Sequence, residues 1–297
     1  MKSAYIPGNV REFFGLGYKE IPSQYGQIFK QEQQKYDVEK DVNMYGFELP
    51  QQYEENETLE YTSMGEAKHI LYTVNKYALG FQESFESRIS MQYPEIQAAK
   101  AKDCGKRMRL GKEKNAAVIF DSAFTNAIQL DGLSLCNTAH VLAASSDTFS
   151  NRAALDADPS EALLKQACQQ IWAYPDDRGE RHYVRPKAIV AHIDQLFTFT
   201  ELLKSEYKVN TDLNNVNPLI SSGAVPLNVI YLDFIDNSTN QWFMMTDQDG
   251  FLLKQQVPMR MQSEEVFETM GGMRHYFMEM YAFYCQRPRA IWGSAGA

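Results

Sequence analysis

Apolar and polar positions recur with two different periods along this chain, and they separate an irregular front from a regular back. The clearest stripe runs from 94 to about 123. There Ala101, Cys104, Met108, Gly111, Asn115, Val118 and Ser122 recur at three-or-four spacing, with Ile96 and Ile119 near the flanks. That spacing predicts an amphipathic helix. Pro94 suits its first turn and Glu95 its positive end. About 30 residues at 1.5 Å rise span roughly 45 Å, well beyond the usual globular helix of roughly 12 residues. Gly105 and Gly111 weaken such a helix unless close packing requires them. Two shorter helices follow. One is introduced by Pro159 and Ser160 and runs through Trp172, with Leu163, Leu164, Ala167, Cys168 and Ile171 as its apolar face. The other covers Asp194 to Ser205.

The remaining back half predicts strands. Ala188-Ile189-Val190 lies within one run. Val225 to Phe234 and Gln241 to Thr246 fit two more, joined near Asp236-Asn237-Ser238. Asp249-Gly250 is a tight hairpin signal before Phe251 to Val257. From 273 to 285 the period is two. Arg274, Tyr276, Met278, Met280 and Ala282 fall on one side of it, and His275, Phe277, Glu279, Tyr281 and Phe283 on the other, as in a long, partly aromatic strand. Residues 128 to 152 are loop-rich after the Asp131-Gly132 turn, and Asp176-Asp177-Arg178-Gly179 is another turn signal.

The front is different. Residues 1 to about 47 show no sustained period, and Gly15, Gly17, Pro22 and Gly26 punctuate them. Ile28, Phe29 and Tyr36 leave only a thin stripe for a short helix in 24 to 40. From 48 to 77 a charged extension precedes strands. Leu59, Tyr61 and Ser63 alternate with polar neighbours, and Ile70 to Tyr77 is strand-like after Gly65. This segment reads either as a surface hairpin or as a projecting two-stranded arm, which would need a surface on which to rest. Arm, hairpin, long helix and mixed body together predict an α+β fold.

Composition changes the picture in two places. Seventeen Phe and seventeen Tyr among 297 residues exceed what one core needs, and could serve interfaces or packing. The net charge of -9 disfavours a protein built to grip phosphate backbones, though it suits the wall of a container. Cys104, Cys136, Cys168 and Cys285 form no Cys-x-x-Cys pair and read as small buried residues in a reducing compartment. With no signal peptide and no apolar run approaching eighteen residues, the expected site of synthesis is the cytoplasm, with no membrane partner.

Charge is unevenly placed. Glu54, Glu55, Glu57 and Glu60 crowd the extension. Lys100, Lys102, Lys106, Arg107, Arg109, Lys112 and Lys114 make the long helix basic, interrupted by Asp103 and Glu113. A solvated helical face and an acidic partner surface both explain that run; nucleic-acid contact explains it less well. If subunits repeat side by side, the four Glu would be the donor side. Lys100, Lys106, Arg107 and Lys114 would be the receiving side.

The search for chemistry finds little. No two of His69, His140, His182, His192 and His275 have the i, i+4 spacing of a zinc protease helix. Asp247-Gln248-Asp249-Gly250 lacks the later Glu of a calcium loop. Ser221-Ser222-Gly223 is no nucleophile elbow, and no phosphate-binding or dinucleotide glycine pattern occurs. Cys136 with His140 is the least implausible nucleophile and base, although both suit structural roles better. The expectation is therefore no catalytic residue, no cofactor and no metal.

Several phrases, in order, resemble the major capsid proteins of tailed phages with the Hong Kong 97-type fold, and among them the Mu-like head subunits. The strongest is Asp131-Gly132-Leu133-Ser134-Leu135-Cys136-Asn137-Thr138-Ala139-His140, where Cys136 and Asn137 replace the more familiar Phe and Ser. Arg107 to Phe124 resembles the end of that family's spine helix. Asp177-Arg178-Gly179 followed by Arg185-Pro186-Lys187-Ala188-Ile189-Val190 resembles its turn and strand, and Leu202-Leu203-Lys204-Ser205 the helix end that follows. Tyr231-Leu232-Asp233, Gln241-Trp242-Phe243 and Arg289-Ala290-Ile291-Trp292-Gly293 resemble its late strands and tail.

The resemblance implies an N-terminal arm over 1–47 and an extended loop over 48–78 that lies on a neighbouring subunit. It implies a peripheral domain with the spine helix over 79–154 and an axial domain over 155–253. Return strands of the peripheral domain and a tail would fill 254–297. It also implies self-assembly as pentamers and hexamers into an icosahedral shell around double-stranded DNA, without sequence-specific recognition. The partners would be scaffolding, portal and decoration proteins, and the location the virion. Lys68 and Lys76 are the only Lys of that loop, with no matching Asn to assign a crosslink. Two other readings are a non-viral encapsulating shell of the same fold and, far behind, a Cys136/His140 hydrolase.

Overall fold

The computed structural model describes residues 7–89, 93–126, 131–205, 217–235, 240–266 and 271–296. In chain order the elements begin with α1 (Pro7–Glu20), β1 (Lys30–Gln33), β2 (Val38–Tyr45), β3 (Gly65–Thr73), β4 (Asn75–Glu83), α2 (Phe85–Ile89) and α3 (Tyr93–Asp121). They continue with β5 (His140–Val141), β6 (Thr148–Phe149), α4 (Glu161–Trp172), β7 (Pro186–His192), α5 (Leu196–Lys204) and α6 (Pro218–Ser221). The last are β8 (Val229–Leu232), β9 (Trp242–Thr246), β10 (Phe251–Val266), β11 (Gly272–Cys285) and β12 (Ile291–Ser294). The α+β class expected from the sequence is the class observed. The chain divides into two compact units, one built from 1–39, 72–117 and 252–283, the other from 40–71, 118–251 and 284–297.

The first unit packs helices on a four-stranded sheet ordered β1-β10-β11-β4. β1 runs parallel to β10, and β4 antiparallel to β11 with Tyr281 opposite Asn75. Along β11 the period-two reading holds as far as Tyr281: His275, Phe277, Glu279 and Tyr281 are buried, while Arg274 is exposed and Tyr276, Met278 and Met280 are half-buried. It fails at the end of the strand, where Ala282 is buried and Phe283 half-buried. Phe277 meets Ala101, Cys104 and Met108 of α3 and Val10 and Phe14 of α1. Its ring stacks on Phe14 at 4.0 Å between centroids. The sequence showed no periodicity over 7–20, yet Val10, Phe14 and Tyr18 fall at i, i+4, i+8 and supply the inner face of α1. Segment 24–40 is no α-helix: after a single 3-10 turn it becomes β1 and β2.

Close approach of α1 to α3 explains one of the two helical glycines. A Cβ on Gly105 would strike the Phe14 carbonyl oxygen and come within 2.8 Å of the Tyr18 amide, and one on Gly17 would strike the Lys102 carbonyl. Both positions must stay small for the helix backbones to touch. Gly111 faces open space and carries only the usual helical cost of about 1 kcal/mol.

The second unit centres on a four-stranded sheet ordered β12-β9-β7-β8. β8 is parallel to β7, while β9 is antiparallel to both β7 and β12. The two strands expected within 225–246 are both present, as β8 and β9, and they lie on opposite sides of β7. The Asp236-Asn237-Ser238 junction lies outside the described residues. Asp249-Gly250 is no hairpin turn, because β9 and β10 belong to different sheets. A Cβ at Gly250 would meet the Ala290 methyl at 2.5 Å, so the glycine answers to packing rather than to turn geometry.

α4 begins where expected, with the Ser160 hydroxyl accepting from the Leu163 amide. Its Leu163, Leu164, Ala167, Cys168 and Ile171 join Ile189, Ala191, Trp242, Met244, Phe199 and Trp292 in one core. All four cysteines are buried and free. Among the described residues no helix is long and apolar enough to cross a membrane.

Candidate functional site

β2 and β3 form a separate two-stranded ribbon, and residues 46–64 join them. The ribbon thus starts at Val38, ten residues earlier than the sequence suggested. The alternation of Leu59, Tyr61 and Ser63 forms no strand. β2 alternates strictly between exposed and half-buried positions, but in the unusual sense. Val38, Val42 and Met44 are exposed. Glu39, Asp41 and Asn43 are half-buried. Asp41 and Asn43 accept hydrogen bonds from Gln286 Nε2 at 3.0 and 3.3 Å, which meets the cost of turning polar groups inward. Leu71 of β3 and Phe47, Leu49, Leu59 and Met64 of the loop are exposed as well, and Tyr61 is 91% exposed. Exposed apolar residues gathered on one element mark an interaction surface more than scattered ones do.

Arg178 locks the base of this loop. It donates from Nε to the Gly46 carbonyl at 2.9 Å, from Nη2 to the Ser63 carbonyl at 3.1 Å, and from Nη1 to Glu48 Oε1 at 2.6 Å. Its guanidinium also lies 5.3 Å from the Tyr45 ring centroid. Tyr45 in turn fills the space that any side chain at Gly65 would need. One planar group with several fixed donors can hold both stems of a loop in this way, which a Lys could not. Arg178 was visible in the sequence only as part of a turn. Its partners lie more than a hundred residues away, so no local spacing could have singled it out.

Glu54, Glu55, Glu57 and Glu60 are all exposed on the loop. The Glu54 amide donates to Glu57 Oε2 at 2.9 Å and the Glu60 amide to the Tyr53 hydroxyl at 3.2 Å. The loop is therefore organised by its own groups around Asn56, whose φ is 72°.

The basic helix looks different from its sequence. Lys102 and Lys106 reach Glu20 at 3.1 and 3.0 Å, and Arg107 pairs with Asp103. Arg109 pairs with Glu113 at 3.3 Å and donates to the Tyr25 hydroxyl. Lys112 is buried against Glu279 at 2.9 Å and lies 4.6 Å from the Tyr281 ring centroid. Burial pushes the Glu279 carboxyl above its ordinary range, and Lys112 and Arg109 offset this only in part. Of the four expected receiving residues, Lys106 and Arg107 thus already hold acids of their own unit. Lys100 and Lys114 are exposed, with Lys100 near the Phe81 ring.

The Asp131 to His140 phrase is a built loop, and it contradicts the hydrolase reading. His140 is fully buried. Its Nδ1 lies 2.6 Å from Asp131 Oδ2 and its Nε2 3.2 Å from the Leu135 carbonyl oxygen. Both ring nitrogens thus lie against oxygens of Asp131 and Leu135, contacts that suit a structural histidine. Burial alone would raise the Asp131 carboxyl, but hydrogen bonds from His140 and the Leu133 amide outweigh it and hold the group below its ordinary range. Complete burial pushes the Cys136 thiol well up, the reverse of an activated nucleophile. A Cβ on Gly293 would sit 2.8 Å from the Cys136 sulfur, so that sulfur is packing material. Among the described residues no three His, Cys, Asp or Glu gather as metal ligands.

No known family profile matches the sequence, and no curated protein does. Solved structures do match in fold. The capsid of a native GTA particle superposes with a TM-score of 0.59 at 11% identity, over 93% of this chain and 91% of that one. The capsid of cyanophage P-SCSP1u gives 0.58 at 9% identity, over 91% and 86%. The holo-SrpI encapsulin complex from Synechococcus elongatus PCC 7942 gives 0.52 at 9% identity, over 93% and 88%. The likeness spans phage, particle and encapsulin shells and does not single out the Mu-like branch. Over nearly its whole length, this chain has an α+β fold similar to that of the Hong Kong 97-type shell subunits.

Proposed function

We propose that this chain is a shell-forming subunit, the major head protein of a tailed phage, assembling as pentamers and hexamers around double-stranded DNA. The observation that carries the reading is the inverted face of β2; its partner β3 buries Ile70 and Tyr72 in the ordinary way. Val38, Val42 and Met44 face outward while polar neighbours face the chain's own body, and only a cover from another molecule removes that apolar surface from water. Another copy is the cover that a shell of repeated subunits supplies. In this reading 1–47 is an arm, 48–78 with β2 is the extended loop, and 79–154 carries the spine helix. Segment 155–253 is the axial domain, and 254–297 holds the return strands and tail. The phrase around Asp131 to His140 favours the Mu-like branch. Scaffolding, portal and decoration proteins are the partners, and the virion is the location.

The acidic loop contributes steering. Glu54, Glu55, Glu57 and Glu60 approach the helix of a neighbouring copy at Lys100, Lys106, Arg107 and Lys114, in exchange for contacts these side chains make within their own subunit. Each wet pair contributes about 0–1 kcal/mol, and repetition sets register. A non-viral compartment of the same fold is the second reading, favoured by the likeness to an encapsulin. Co-expression with a scaffold, followed by sedimentation and electron microscopy, tests the proposal. Closed particles that enclose a genome-length duplex are expected. A chain that stays monomeric under all such conditions overturns shell formation. Closed particles filled with protein cargo instead select the compartment.

A further inference from the structure

The spine helix neutralises most of its cations internally, but another basic run does not. In 181–187 every second residue is exposed: Arg181, Tyr183, Arg185 and Lys187. Val184 between them is buried, and His182 and Pro186 are half-buried. The run is held rigidly. Arg181 bridges to Pro175, the His182 amide donates to the Tyr174 carbonyl, and the Arg185 amide donates to Asp247 Oδ1 at 3.0 Å. Arg185 lies over two rings, 4.5 Å from the Tyr183 centroid and 5.7 Å from that of Trp172. Arg181 donates to the Trp172 carbonyl at 2.9 Å.

Among the described residues no carboxylate forms an ion pair with Arg181, Arg185 or Lys187. The nearby acids are mostly engaged: Asp177 with Arg289, Asp176 with the Arg178 and Glu180 amides, and Asp247 with the Arg185 amide. Glu180 is exposed beside the strip. Tyr183 is 72% exposed, so that although Arg185 lies over its ring much of the ring stays open to a further stacking partner.

We infer that this strip binds a single-stranded polynucleotide, with phosphates on Arg181, Arg185 and Lys187 and a base stacked on Tyr183. Cations interleaved with an exposed aromatic face are the elements such strands require. A guanidinium already held over two rings loses little freedom on meeting a phosphate. A paired duplex offers no open base face, so it would use the cations and leave Tyr183 idle. The inference is independent of the shell reading, since either can fail while the other stands.

The test is fluorescence anisotropy of a labelled oligothymidylate of about a dozen nucleotides with the full chain, between about 20 and 200 mM salt. Three phosphate contacts predict a log-log salt slope of about -2, and each of Arg181→Gln, Arg185→Gln and Lys187→Gln should reduce it by about 0.7. Tyr183→Ala should weaken binding at least about fivefold, while Tyr183→Phe should bind as the parent does. A blunt duplex should bind more weakly and ignore Tyr183→Ala. No binding at the lowest salt overturns the inference, as does binding that none of these variants changes. It is also overturned if a peptide of residues 50–64 of this chain occupies the strip more tightly than the oligonucleotide. The strip would then be a receptor for the acidic loop of a second copy.

Discussion

β11 and β2 carry the same period of two and use it in opposite senses. β11 turns Phe277 and Tyr281 into the helix-covered side of its sheet and keeps even Glu279 and His275 buried there. β2 turns Val38, Val42 and Met44 out and keeps Glu39, Asp41 and Asn43 toward its own chain. Amphipathic alternation therefore identifies a strand with two unlike faces, but not which face is inside. A strand of the first kind stabilises the subunit. A strand of the second kind leaves apolar side chains in water, where they add nothing to the subunit's own core.

The largest effect should come from the core strand. Phe277→Ala removes the ring stacked on Phe14 and should cost about 3–5 kcal/mol, read as a lower urea midpoint with an unchanged slope. Lys112→Ala leaves Glu279 buried without its closest cation and should cost a similar amount, about 3–5 kcal/mol at neutral pH. That loss should shrink in acid. A carboxyl raised in the folded state makes its most favourable contribution below its unfolded value of about 4.3, and loses it as pH rises through the folded value. A pH-independent loss would mean that Glu279 stays ionised.

An intermediate effect is expected at the loop between α3 and β5. Asp131→Asn weakens the bond to His140 and should cost about 1–3 kcal/mol at neutral pH. The sign is opposite to that of Glu279. Asp131 is lowered in the folded state, so its contribution is present above about 3.9 and is lost as pH falls through the folded value. The variant should therefore have a shallower acid limb in thermal melts across pH. An acid limb as steep as that of the parent would assign it to other carboxylates.

The smallest change in subunit stability, within about 0.5 kcal/mol, is expected for Val42→Asp with Met44→Asp on the ribbon. The same pair should abolish particle formation, seen by sedimentation. Arg178→Ala should speed amide hydrogen exchange at the loop stems near Gly46 and Ser63 while leaving β11 protected. If the ribbon pair lowers the melting temperature as Phe277→Ala does, its apolar face is part of the core and the contrast with β11 fails.

The legible parts of the fold share one property, which is that their information is local. The long helix, the Ser160 cap of α4 and the alternation along β11 as far as Tyr281 all express backbone geometry over a few residues, and the structure keeps each of them. Of the stripe itself Ala101, Cys104, Met108 and Ser122 are buried, whereas Gly111 and Val118 are exposed and Ala116, Ala117 and Phe120 are buried in their place. α1 escaped because Gly15 and Gly17 lie within it, and Gly17 earns its place only through contact with α3. The candidate site was legible in part. The exposed acids were visible as a cluster, whereas the inverted face of β2 and the Arg178 lock were not.

By itself, then, the sequence determined the α+β class, the long helix, the long aromatic strand, and the lack of any local catalytic or metal-binding pattern. Tertiary structure alone decided that Asp249-Gly250 passes between sheets instead of closing a hairpin. It also decided that β8 and β9 flank β7, and that Lys112 neutralises Glu279 while Arg178 holds Gly46, Glu48 and Ser63. The physical reason is sequence separation. Capping and periodicity act within one or two turns of chain, but sheet order, ion pairs and the choice of inward face depend on distant partners, from Ile189 and Val229 of the second sheet to Lys112 and Glu279, which meet only when the chain has folded.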